Sequence, residues 1–356
     1  MIRNPRVEIR RDLLLDNARR MIEMAAGYEC EIAAVTKGAA AHPAVLSVLS
    51  EAGIEIFADS RIKNLARIKK MGYQQQLYLL RLPMLSEVAE TVRIADLSFN
   101  SQLETISALD REAKGQGKIH RVILMVDVGD LREGVMPERL LPLARSVLRL
   151  DNILLEGIGT NVGCYGGVLP SLEQLQLLVG LQEEIAAELG YQLPKISGGN
   201  TATTSLLTDG YPSQVNQLRV GEGILIGYDS TGDRPLEGFH HETFTLVAEV
   251  IELEVKPSLP SGKIGRDAFG QIPEFEDRGL RKRAILALGR QDIKIEALHP
   301  IDTGAEIIGA SSDHLLLEVT EMEDQPAVGG EMTFNMSYSG LMRAMTSSYL
   351  NVSIRE

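Results

Sequence analysis

The chain contains no tryptophan and only two cysteines, Cys30 and Cys164. The two are far apart and show no metal-type spacing. A disulfide framework is therefore not expected, no metal site is read from them, and the usage suits a reducing cytosol. Positive charge is also in short supply. Thirty-six Lys and Arg stand against 49 Asp and Glu, a formal net charge of −13. No Lys/Arg-rich run occurs, so the electrostatic footprint of a nucleic-acid binder is missing. No apolar stretch reaches the roughly 18 residues of a membrane span. The start is polar, with Arg3, Arg6, Arg10 and Arg11, and carries no signal-peptide pattern. These absences leave a soluble, cytoplasmic, metabolic protein as the expectation.

What is present is an alternation. At 356 residues, 44% of them apolar, the chain can bury a barrel of roughly 250 residues plus a smaller module. Eight short apolar runs are spaced through the first two thirds: Ile32–Val35, Ile54–Ala58, Leu77–Leu80, Ala95–Phe99, Val122–Val128, Ile153–Ile158, Pro194–Ser197 and Gln217–Val220. Between them lie segments with apolar residues at helical spacing, among them Pro43–Glu51, Glu87–Ile94, Glu138–Leu150 and Leu172–Leu189. Parallel strands need crossovers and lose their edges by closing, so the pattern predicts a (β/α)8 TIM-like barrel. Val7–Ile9 reads as an extra strand pairing outside it, before a helix at Asp12–Met24. After Asp233 the period changes. Phe244–Val255, Ala284–Leu288, Ala305–Ile308, Leu315–Val319 and Met332–Asn335 are strand-like and separated by Pro/Gly turns. The expectation is a barrel over residues 1–235 and a mostly-β domain over 236–356.

In such barrels the active site lies at the C-terminal ends of the strands. Here those ends turn polar or to glycine where the apolar runs stop: Thr36-Lys37-Gly38, Asp59-Ser60, Asp127-Val128-Gly129 with Arg132 beyond, Thr160-Asn161, Gly198-Gly199-Asn200-Thr201 and Arg219-Val220-Gly221-Glu222. An apolar strand delivers Lys37 into the mouth. Desolvation and the nearby arginines would favour the neutral amine that attacks an aldehyde. A lysine snorkelling at a strand end is the plainer alternative. The two glycine turns, at the seventh and eighth strands, could aim backbone N–H groups at one phosphate, or could simply be turns.

Together these residues resemble the fold-type III pyridoxal 5′-phosphate (PLP) racemases, the alanine racemase superfamily, over essentially the whole chain. Ala34-Val35-Thr36-Lys37 is similar to the family's Schiff-base strand, so the resemblance implies PLP held on Lys37. Val126–Gly134 resembles the segment whose arginine, here Arg132, contacts cofactor and substrate carboxylate. Ser197–Thr201 and Leu218–Glu222 resemble the phosphate turn and the segment whose arginine, Arg219, faces the pyridine nitrogen. That implies cofactor contacts from Asn200, Thr201, Gly221 and Glu222, and Tyr338-Ser339-Gly340-Leu341 resembles the tyrosine motif that reaches the phosphate. Arginine can only donate hydrogen bonds, so the ring nitrogen it faces stays unprotonated, which suits a racemase. Within the superfamily the strings Ala58–Ile62, Asp130–Gly134, Cys164–Val168 and Asp267–Gly270 look most like the ornithine racemase branch. Alanine, lysine or broad specificity remains the alternative reading.

The resemblance has gaps. Racemisation needs proton donors on both faces of the substrate's α-carbon. Lys37 serves one. The family's second-domain tyrosine falls at Phe269 here, which cannot transfer a proton, and the usual Thr-His is Thr160-Asn161. Asp267, Cys164 and Tyr165 are the substitutes considered, with plainer readings of Asp267 as a surface carboxylate and of Cys164 as an inert thiol. A second ammonium on the substrate would want a carboxylate; Asp267, Glu274, Glu276 and Asp277 crowd one loop, and Asp313 stands where the sequence resembles the family's Met-Asp segment. A homeostasis protein that binds PLP without robust catalysis is the rival from another class, but it lacks a C-terminal β domain. The metal-dependent aldolase reading lacks its His-x-Cys pair. The superfamily resemblance also implies a head-to-tail homodimer.

Overall fold

The computed structural model describes residues 4–267 and 269–356; Ala268, part of the string set against the tyrosine motif, lies outside them. Eight parallel strands close a barrel: Glu31–Val35, Ile56–Asp59, Gln76–Leu79, Leu97–Asn100, His120–Met125, Ile153–Gly159, Lys195–Ser197 and Gln217–Val220. Closure is made by the last strand on the first, from Glu31↔Gln217 to Ala34↔Val220. Because both faces of each strand are covered, the runs are apolar without alternation. Small and large side chains fill the lumen together, Ala33 and Ala58 beside Tyr78 and Phe99. A larger cluster, including Leu109, Leu124, Leu140 and Leu178, seals strands to helices.

The helices stop and start where local chemistry dictates. Pro43 and Pro137 open two of them, where a missing N–H costs nothing. Ser171 and Gln174 form a reciprocal capping box at the start of Leu172–Leu189, and Gly190, at φ 64°, ends it. After the seventh strand a 3-10 turn, Thr201–Leu206, replaces the crossover helix. That places backbone, rather than a long helix, beside the eighth strand's end.

The remaining described residues form a second unit, mostly of antiparallel strands, Glu242–Glu356 together with Asn4–Asp12. This divides the chain differently from a 1–235 and 236–356 split, and hydrogen bonding is the reason. Arg6–Arg10 pairs antiparallel with Phe244–Pro257 and parallel with Asn351–Arg355. The chain's opening strand thus belongs to the β unit. Phe244–Pro257 is the organising element: it pairs with Glu331–Met336 through Glu249, then, past a bulge at Val250/Glu252, with Leu280–Leu286. Within this unit two strands escape the sequence pattern, Leu298–Pro300 and Asn351–Arg355. Both are short, and one carries a proline. Among the described residues no helix is long and apolar enough to cross a membrane.

Candidate active site

Lys37 sits in a 3-10 turn, Thr36–Ala39, directly after the first strand. Ala40 and Ala41 follow with φ of 48° and 50°. Successive alanines in the left-handed region cost about 1 kcal/mol each, and such strain collects where a turn must aim a functional group. The turn is held by Ala41 N–H on Thr36 O (3.2 Å) and by Arg67 donating to Ala40 O (3.0 Å). Beneath it, Thr36 Oγ1 donates to Asp59 Oδ2 at 2.8 Å, while Asn64 and the Arg61 N–H occupy the same carboxylate. Burial raises the Asp59 carboxyl above its usual range, against the pull of these donors and the Lys37 charge.

Arg219, at the eighth strand's end, is buried and lies 4.9 Å over the Phe99 ring. Its NH1 donates to Ser197 Oγ (2.5 Å) and Ser197 O (3.3 Å), and its NH2 to Thr160 O (2.5 Å). These bonds leave Nε unused. These partners, and Asn161 Oδ1 at 3.4 Å from NH2, are all neutral, so burial lowers the guanidinium pKa to about 10, with Glu133 opposing. It remains a cation at neutral pH.

Arg132 lies on the loop after the fifth strand, with its Nε 2.6 Å from Glu133 Oε2. Burial raises the Glu133 carboxyl, and the charges of Arg132, Arg219 and Lys37 pull it back down. Those couplings locate Glu133 among the three cations that the sequence singled out. In the sequence Glu133 enters only as part of the string Asp130–Gly134. The signal available was its place beside Arg132 just beyond a barrel strand.

The two glycine turns do converge. Thr201 Oγ1 accepts the Gly223 N–H at 3.1 Å, tying the turn after the seventh strand to the segment after the eighth. Gly199 has φ 133°, and a Cβ there would lie 2.3 Å from Thr203 Oγ1, so this turn must remain bare backbone. Two expected contacts are committed to the protein. Asn200 caps the Thr201–Leu206 turn through Ala202 N–H and donates to Val162 O at 2.7 Å. The Glu222 carboxylate turns to Ser230, accepting its N–H and hydroxyl, which leaves the Gly221–Glu222 backbone rather than that side chain to face an anion.

Cys164 is exposed, and its Sγ accepts from Asn161 Nδ2 (3.0 Å) and Asn200 Nδ2 (3.5 Å). Its loop is fastened by Asp130. That carboxylate, 1% exposed, accepts the N–H groups of Gly163, Tyr165 and Gly166 at 3.0, 3.1 and 3.0 Å. The remaining candidates belong to the β unit. Asp267 Oδ1 accepts the N–H groups of Phe269 and Gln271, and so closes an exposed turn. Phe269 lies under the Arg290 guanidinium, 5.2 Å away. Asp313 accepts from Gln291 and Ser312 on the surface. Tyr338 opens the helix Tyr338–Ala344, which packs closely enough that a Cβ on Gly340 would meet Ala297 at 3.0 Å.

Residues 9–229 match the family described as alanine racemase, N-terminal domain. The chain is 41% identical to an ornithine racemase from Acetoanaerobium sticklandii, an alignment covering 97% of this chain and 98% of that protein. It is 42% identical to a lysine racemase from Thermotoga maritima, covering 97% of each. Among solved structures, an alanine racemase of Clostridium difficile 630 shares the fold with a TM-score of 0.78 at 17% identity, over 100% of this chain and 97% of the other. Match and alignments alike run through the strand ends that carry Lys37, Arg132 and Arg219, and the chain belongs to the alanine racemase family.

Proposed function

We propose that this protein is a PLP-dependent amino-acid racemase, with ornithine as the first substrate to test. The observation that supports it best is the meeting of Lys37, Arg132 and Arg219 around Glu133 at one barrel mouth. Full-length similarity to racemases of ornithine and lysine points to substrates with a second ammonium.

The residues present fit the cofactor. A lysine amine at a strand end suits its aldehyde, and the bare turn at Gly199, tied across to Gly223, suits its phosphate. The buried Arg219, with Nε uncommitted, suits an acceptor nitrogen. When bound, PLP supplies the electron sink for the charge left on Cα as its proton departs. The protein does the rest. Arg132 would orient the substrate through its α-carboxylate, and Lys37 Nζ would take or return the Cα proton on one face. Asp267 and Cys164 are the groups proposed for the other face.

A head-to-tail homodimer and a cytoplasmic location complete the reading. In the β unit Phe269, Ile272 and Phe275 stand exposed, an apolar group suited to a second copy. Sedimentation as an active monomer would remove the dimer.

Chiral analysis of L-ornithine, L-lysine, L-alanine, L-serine and L-arginine after incubation with enzyme and PLP tests the function. The D-enantiomer of ornithine is expected. Lys37→Ala is expected to abolish turnover together with the visible absorption band of the bound cofactor. Racemisation of alanine alone would remove the ornithine assignment, and no racemisation with cofactor bound would remove the racemase reading.

A further inference from the structure

Side chains adjacent in sequence ordinarily diverge, alternating faces in a strand. Arg132 and Glu133 instead form a 2.6 Å ion pair. The backbone on either side departs from a strand: Leu131 has φ 55° and Gly134 φ 135°. A Cβ on Gly134 would lie 2.5 Å from Asp127 N, so no other residue fits there. Both ends of the loop are fastened. Asp127 Oδ1 accepts the N–H groups of Gly129 (2.8 Å) and Leu131 (3.1 Å). Val135 returns to the strand end, donating to Met125 O and accepting from Asp127 N, each at 2.9 Å. The pair is therefore carried on a fixed loop, and its shortest contact is made by Nε of Arg132.

We infer that Glu133 is a positioning residue for Arg132, holding its guanidinium so that the fork is presented to the substrate's α-carboxylate. This rests on the racemase reading, in which Arg132 receives that carboxylate. Charge explains why an anion is needed. Lys37, Arg132 and Arg219 all couple to Glu133, and three cations converging on one mouth repel one another. A carboxylate beside Arg132 offsets that repulsion and fixes the orientation of a long, otherwise mobile side chain. The competing role, receiving a substrate's side-chain ammonium, would bring a fourth cation to a carboxylate that already has a partner at 2.6 Å.

The test uses the PLP-loaded enzyme and two probes, acetate for the carboxylate and propylamine for the ammonium, titrated calorimetrically. Glu133→Gln and Glu133→Ala are expected to weaken acetate binding about tenfold and leave propylamine unchanged. Glu133→Asp is expected to recover part of the loss, and KM is expected to rise more than kcat falls. Acetate bound equally by wild type and Glu133→Ala, or by neither, overturns the inference. So does weakened propylamine with acetate unchanged, or a collapse of kcat at unaltered acetate affinity. Thermal unfolding and the cofactor's visible band identify a variant that has merely misfolded, in which case Glu133→Gln decides. The titrations need no turnover, so this inference and the racemase reading fail separately.

Discussion

Lys37, Arg132 and Arg219 could each be proposed from position alone, because each is a cation placed where an apolar strand ends. The roles of their neighbours could not. Glu133 and Asp59 are ordinary acidic residues in the sequence. Only their placement shows one beside Arg132 and the other under the Lys37 turn. The second proton group belongs to this scale as well. Loss of an acid/base that serves one face slows exchange from one enantiomer more than from the other. Cys164→Ser and Asp267→Asn are therefore compared by deuterium uptake at Cα from each enantiomer of ornithine. The variant lacking the true group is expected to lose about 10²- to 10⁴-fold on one enantiomer. Symmetric uptake in both variants would exclude both groups.

At the level of elements, the eight strands and most of the crossover helices were legible because buried parallel strands are continuous apolar runs with polar stops. Strand ends moved by no more than a few residues; Val122–Val128, for example, ends at Met125 because the chain then turns to meet Val135. Leu298–Pro300 and Asn351–Arg355 were not legible, since short edge strands carry too little pattern to separate from loop. Loop geometry was hidden for another reason. The strings Asp130–Gly134 and Cys164–Val168 could each be noticed, but nothing in either says that the Asp130 carboxylate fastens the second loop. Asn at 130 keeps one acceptor oxygen for three N–H donors, and Ala keeps none. Asp130→Asn is expected to cost about 1–2 kcal/mol and Asp130→Ala about 3 kcal/mol by denaturant unfolding. Hydrogen exchange at Gly163, Tyr165 and Gly166 should accelerate in both. Unchanged exchange would show that the loop is held by other contacts.

Across the whole molecule, acid sensitivity follows from groups other than those at the strand ends. His120, at the start of the fifth barrel strand, is buried with its Nε2 2.8 Å from Ser98 Oγ. Burial first, and the Lys118 charge second, lower its pKa to about 4. The fold thus favours the neutral ring. Its contribution is complete above the unfolded value near 6.5 and is lost as pH falls from there through about 4. The expected loss is roughly 3 kcal/mol, measured by denaturant unfolding against pH, and His120→Asn should flatten that window. In the β unit, hydrogen bonds from Arg6 and Asn4 hold the Glu331 carboxyl near pKa about 2. Its contribution is present above the ordinary glutamate range and fades only below it.

The sequence by itself determined the barrel, the mostly-β second part, and the places of Lys37, Arg132 and Arg219 at or just beyond strand ends. Each of these is written locally, as a period of apolar residues or as a polar residue at the point where a period stops. The tertiary structure alone decided which acidic residues stand beside those cations, which loop Asp130 fastens, and that the chain's opening strand belongs with its last. Those are pairings between segments distant in sequence, or between neighbours brought together by left-handed backbone. Hydrogen bonds and ion pairs of this kind leave no periodic trace in the chain that makes them.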